Sequence, residues 1–159
     1  MPKINPIPST NFPVGVLTRL ALPDAEIYYQ PDLFTRAESV EYFQQLDELP
    51  TWVARSITVY GRPCQQNRET LYYGSQGTNY RYSGINNPGD GKIPKVIQDL
   101  TQRVEARLTA AGLLLPGQHF NYWLGNRYLT GDHNIGMHSD EEDDLDGGKS
   151  KGDDVAVNL

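Results

Sequence analysis

A chain of 159 residues, 38% of them hydrophobic, can bury one modest core but not two independent ones. Its single cysteine, Cys64, excludes an internal disulfide, and Met1 to Leu20 holds no apolar run of signal-peptide or membrane-span length, so a cytoplasmic or nuclear protein is expected. The net charge of -6 does not exclude a polyanionic partner: residues 138–159 hold eight acids against Lys149 and Lys151, and the remainder is balanced at 12 basic and 12 acidic. Any basic groove must come from local placement of residues such as Arg62, Arg68 and Arg81.

Residues 1–24 contain Pro2, Pro6, Pro8, Pro13 and Pro23, which lack backbone donors, and read as an extended surface arm preceding a domain over 25–159. Thr35 and Glu38 form a T-x-x-E capping box, and Val40, Phe43 and Leu46 recur at helical spacing, predicting a helix over about 36–48 ended by Pro50. A second helix is predicted from Pro94, through the stripe Ile97, Leu100, Val104 and Leu108, to a cap at Gly112. That stripe needs a surface to cover it, most simply a sheet. Between the helices, Ile57, Val59, Leu71, Tyr72, Tyr80 and Tyr82 lie in short β-like runs separated by Gly61, Gly74, Gly77 and Gly84.

In FNYWLGNRY, alternation puts Phe120, Tyr122, Leu124, Asn126 and Tyr128 on one face of a strand, so two polar groups share a face with core residues. The closing VAVNL reads as a strand that has just begun. Ten residues after Tyr128 comes His138-Ser139-Asp140-Glu141. In extended backbone His138 and Asp140 project to one side, with Cα atoms roughly 7 Å apart, so imidazole and carboxylate can converge on one metal. They make two-thirds of a 2-His-1-carboxylate facial triad, which leaves adjacent positions open on iron(II). Zinc could use the same pair, and the plain alternative is a surface histidine beside a solvated acidic run.

The stretch FNYWLGNRYLTGDHNIGMHSDEE resembles the AlkB family of iron(II)/2-oxoglutarate dioxygenases, in which a strand bearing N-x-Y precedes an I-G-x-H-x-D turn at this spacing. NRETLYYGS, NYRYSG and DAEIYYQPDLFT resemble further family elements, so the likeness covers roughly residues 24–159. It implies an α+β fold, a partial double-stranded β-helix (jelly roll) with two helices from the N-terminal half packed on the sheet. It implies iron ligation by His138 and Asp140, hydrogen bonds from Asn126 and Tyr128 to 2-oxoglutarate, and a pocket for a flipped base lined by Tyr80, Tyr82, Ser83 and Glu141. Aromatic faces suit such a pocket because they replace the stacking a flipped base gives up. The implied activity is demethylation of N-alkylated bases with Fe(II), 2-oxoglutarate and O2, in alkylation repair of DNA or RNA. The implied partner is nucleic acid, with no membrane, and the complete protein is expected to be a monomer.

Three features depart from the family. The distal histidine and the arginine that grips the cosubstrate carboxylate have no match here: the histidines are His119, His133 and His138, and no arginine follows Arg127. A C-terminally truncated, inactive chain with an unpaired sheet edge is therefore expected. Ser75 stands where the family often has Asp, and DDLDGGKSKGDD reads as a surface loop. The rival readings are a dioxygenase acting on protein or a small molecule, and a calcium-binding or structural module. In the latter Glu142, Asp144, Asp146 and Gly147 take positions 1, 3, 5 and 6 of an EF-hand-like loop and Asp153 takes position 12, but Glu stands first, Asp twelfth, Lys149 replaces an apolar residue, and no helix pair flanks it.

Overall fold

The computed structural model describes residues 15–23, 25–59, 61–82 and 85–136. The candidate residues Ser83, His138, Asp140 and Glu141, the acidic loop and the VAVNL strand lie outside the described residues. Two compact units divide between Asp47 and Glu48.

In the first unit, β1 (Thr18–Leu22) and β2 (Ala25–Tyr29) pair antiparallel, from Thr18↔Tyr29 to Leu22↔Ala25. Strand β1 thus falls inside the stretch read as an arm: it is extended, but its backbone is paired, and Pro23 sits past its end where no donor is needed. Helix α1 (Arg36–Asp47) starts at the capping box. The Glu38 amide donates to Thr35 Oγ1 at 3.2 Å, and the Thr35 amide donates to Glu38 Oε2 at 2.7 Å. An edge-on contact between Phe34 and Tyr42, centroids 5.2 Å apart, fixes the entry. The helix buries none of its residues, and Val40 and Phe43 are 51% and 69% exposed.

The second unit contains β3 (Ser56–Val59), β4 (Arg62–Gln65), β5 (Glu69–Gly74), β6 (Asn79–Tyr82), β7 (Ile85–Pro88), α2 (Lys95–Ala110) and β8 (Tyr122–Arg127). Its sheets are antiparallel pairs, β3 with β4, β5 with β8 and β6 with β7. Helix α2 buries Val96, Ile97, Leu100 and Val104, close to the expected stripe, beside buried Leu71 and Leu114. It ends as the sequence foretells. Gly112 takes φ +72, its amide donates to the Thr109 carbonyl at 3.0 Å, and the Leu113 amide donates to the Leu108 carbonyl at 2.9 Å, the two bonds of a Schellman cap. Pro94 takes the N-cap position itself, where the missing amide costs nothing.

Helices and antiparallel pairs make the class α+β, as expected. Of the two helices expected to pack on the sheet, α2 supplies buried residues, whereas α1 supplies none. No helix among the described residues is long and apolar enough to cross a membrane.

Two glycines test the packing. A Cβ at Gly125 would lie 2.9 Å from both Leu71 Cγ and Trp52 Cη2, so Gly125→Ala should lower the unfolding free energy by about 1–3 kcal/mol through overpacking. Gly112 has open space around it and only its positive φ to defend, so Gly112→Ala should cost about 1 kcal/mol. Urea denaturation of both variants measures the difference.

Candidate functional site

Strands β5 and β8 pair from Glu69↔Arg127 through Thr70↔Asn126 and Tyr72↔Leu124 to Gly74↔Tyr122. Residues opposite each other in an antiparallel ladder share a face, and alternate residues along a strand return to it. One face therefore carries Glu69, Leu71, Tyr73, Trp123, Gly125 and Arg127. It is anchored to α2 by Trp123, whose indole N–H donates to Thr101 Oγ1 at 2.7 Å. Arg127 donates to Glu69 Oε2 at 2.7 Å and lies over Trp52, 4.9 Å from its ring centre. The other face carries Thr70, Tyr72, Tyr122, Leu124 and Asn126, and alternation brings Arg68 and Tyr128, each one residue outside its strand, to the same side.

On that second face Arg68 Nε donates to Asn126 Oδ1 at 2.7 Å. Arg68 is 7% exposed, and Asn126 is exposed. A guanidinium has donors only, so the amide oxygen must be the atom facing it, and the Asn126 NH2 is left pointing elsewhere as a donor. Tyr128 is 43% exposed on the same strand. The two residues read from the sequence as cosubstrate contacts thus present a fixed N–H donor and an exposed phenol, a donor set that suits carboxylate oxygens.

An aromatic cluster occupies the other end of this face. Tyr80, from β6, lies 4.4 Å from Tyr122 and 6.3 Å from Tyr72, centroid to centroid. Tyr122 and Tyr72 are themselves 6.3 Å apart, and the Arg55 guanidinium sits 4.6 Å above the Tyr72 ring. Tyr80 is only 6% exposed, so much of its ring is covered by protein, and the Asn87 side-chain Nδ2 donates to its backbone carbonyl at 3.2 Å. Tyr82 ends β6 opposite Ile85. Burial pushes the Tyr122 phenol well above its ordinary range, with Tyr72 and Tyr80 adding to the shift and Arg55 opposing it. Among the described residues its buried hydroxyl has no hydrogen-bond partner.

The turn after β8 is tied to the start of β5. Asn67 Nδ2 donates to the Asp132 carbonyl at 2.8 Å, and the Asn134 amide donates to the Asn67 carbonyl at 3.2 Å. His133 Nδ1 accepts the Leu129 amide at 3.2 Å, an internal turn role. His119 lies 3.1 Å from Glu105 of α2, whose other oxygen accepts the Phe120 amide at 2.7 Å. Among the described residues no three His, Cys, Asp or Glu side chains converge as a metal site.

The profile of the 2OG-Fe(II) oxygenase superfamily matches residues 26–150. The chain belongs to that superfamily. Within it the likeness is AlkB-type, as the motifs implied: the chain is 34% identical over 116 residues to the DNA oxidative demethylase ALKBH2 of Bos taurus, covering 71% of this chain and 38% of that protein. It is 33% identical over 116 residues to ALKBH2 of Homo sapiens, covering 71% and 41%, and 33% identical over 106 residues to ALKBH2 of Arabidopsis thaliana, covering 66% and 32%. This oxygenase chain therefore spans about two fifths or less of the length of these relatives.

Sequence reasoning placed Asn126 and Tyr128 on one strand face but gave Asn67 no role, read Tyr72 and Tyr122 only as strand residues, and named Arg68 only for a basic groove, whereas it is buried and bonded to Asn126. The signal was present in N-R-E-T-L-Y-Y-G, where Arg68, Thr70 and Tyr72 alternate just as Tyr122, Leu124 and Asn126 do. What was missing was the pairing that makes the two alternations one surface.

The raised Tyr122 phenol sets a pH dependence. In the unfolded chain it ionises near pH 10, whereas in the folded chain it keeps its proton to higher pH. The stability linked to it is therefore present below about pH 10 and is lost as pH rises beyond that value. Tyr122→Phe should flatten this loss, and near neutral pH it should match or exceed wild-type stability because the orphaned hydroxyl is gone. Urea titrations at about pH 7 and about pH 11 check both.

Proposed function

We propose that this chain carries the metal and cosubstrate face of an oxidative demethylase acting on N-alkylated bases in DNA. The observation that supports the reading best is the shared sheet face: the Asn126 amide and Tyr128 phenol lie on the same side of β5–β8 as the Tyr72, Tyr80 and Tyr122 cluster. One half of that face suits an anionic oxygen ligand and the other is built from rings. The named relatives are DNA oxidative demethylases, which favours DNA among the nucleic acids.

In this reading His138 and Asp140 hold Fe(II), and Asn126 and Tyr128 donate to 2-oxoglutarate. Tyr80, Tyr82, Ser83 and Glu141 line the base pocket, Tyr80 as a wall backed by Tyr122. The chemistry that bound iron, 2-oxoglutarate and O2 supply is oxidation of an N-methyl group, with 2-oxoglutarate converted to succinate and carbon dioxide and the methyl carbon lost as formaldehyde. The chain's own residues orient and shelter. Asn126 fixes a carboxylate oxygen through a pre-aimed N–H, and the tyrosines present apolar faces that keep water from a base taken out of its stack. The complete protein is expected to work as a monomer in the cytoplasm or nucleus.

A titration with Mn(II), a redox-quiet substitute for Fe(II), tests the metal assignment. Binding should tighten when 2-oxoglutarate is present and fall at least tenfold in His138→Ala. If deletion of 142–153 removes divalent-ion binding while His138→Ala leaves it intact, the calcium-loop reading replaces this one.

Asn126→Asp separates the donor role from folding. The new carboxylate can still accept from Arg68, so stability should hold within about 1 kcal/mol, but it offers an anion where 2-oxoglutarate needs a donor. Calorimetric 2-oxoglutarate affinity should drop by at least tenfold, and an unchanged affinity would remove Asn126 from the cosubstrate site.

A further inference from the structure

We propose that Arg68 is a positioning residue for cosubstrate binding, acting through Asn126 and not by touching the ligand. The inference rests on the reading of Asn126 as a 2-oxoglutarate contact. A terminal amide is nearly symmetric in shape, and rotating it half a turn exchanges its donor edge for its acceptor edge. A free Asn126 would sample both orientations and would present the carbonyl, which repels a carboxylate, for part of the time.

Arg68 removes that ambiguity. Its Nε–H meets Asn126 Oδ1 at 2.7 Å across 58 residues of sequence, and it cannot accept a bond from the NH2 edge. The hydrogen bond is charge-assisted, which makes it stronger than a neutral one and polarises the amide so that its N–H is a better donor. Arg68 is 7% exposed, so its own charge is sheltered under the sheet surface while Asn126 is exposed. Register explains why this pair can form at all. Thr70 stands directly opposite Asn126, so Arg68 is the diagonal neighbour two positions away, within reach of a long side chain.

The test is a double-mutant cycle on the full chain, read by calorimetric titration of 2-oxoglutarate in saturating Mn(II), with metal affinity and thermal stability measured on every variant. Arg68→Met should weaken 2-oxoglutarate at least tenfold, and Arg68→Lys, which keeps a cation but not the fixed fork, should lie between. Metal affinity without cosubstrate should change less than twofold in both, which a general loss of folding would not allow. In an Asn126→Ala background, Arg68→Met should cost nothing further, because its only route to the ligand is gone. A full additional loss in that background overturns the proposal, as does wild-type affinity in both Arg68 variants. If Arg68→Met fails to fold, the Arg68→Lys arm of the same cycle decides. Wild-type 2-oxoglutarate affinity in Asn126→Ala sinks the cosubstrate reading itself. Loss in Asn126→Ala with none in the Arg68 variants sinks the positioning role alone.

Discussion

Pairing β5 with β8 in the register that sets Glu69 opposite Arg127 decides which side chains meet on each face of the sheet. A shift of one residue would carry Asn126 to the side of α2 and bring Arg127 round in its place, because side chains alternate with a period of two. Two features hold the register. The Glu69–Arg127 ion pair joins directly opposed positions and is stacked on Trp52, and Gly125 accepts Leu71 and Trp52 in space that no other residue leaves free. The face bearing the candidate site is thus fixed by contacts on the face that does not.

The first four residues around the start of β5 show how densely one short segment is used. Asn67 holds the turn that follows β8, Arg68 holds Asn126, Glu69 holds Arg127, and Thr70 exchanges backbone bonds of 3.0 Å with Val53. Successive residues reach to opposite faces and to both neighbouring segments, so this stretch joins strand β8, the turn that follows it and the helix-side core. Substitutions here are expected to couple properties that would otherwise vary independently.

The parts legible in the sequence were those decided by neighbours in the chain. The capping box at Thr35 and Glu38, the α2 stripe and the cap at Gly112 each depend on groups within one or two helical turns, and all formed. The polar pair Asn126 and Tyr128 followed from strand alternation and from family motifs. The pairing of residues 69–74 with 122–127 did not follow, because nothing local says which strand a strand will choose. Spacing also named an apolar stripe on α1 without saying what covers it, and Val40 and Phe43 stay exposed. Tyr80 illustrates the middle case: its place in a short β-like run was readable, but its ring contact with Tyr122 joins residues some forty positions apart.

The chain's two tryptophans both belong to the side of the sheet away from Asn126. Trp123 is bonded to Thr101 of α2, and Trp52 packs under Arg127 and against Gly125. Tryptophan emission, excited at wavelengths tyrosine does not absorb, should accordingly register whether the ladder and helix are assembled while responding far less to what occupies the opposite surface. It offers an internal optical gauge of structural integrity, already separated from ligand occupancy by the thickness of one sheet.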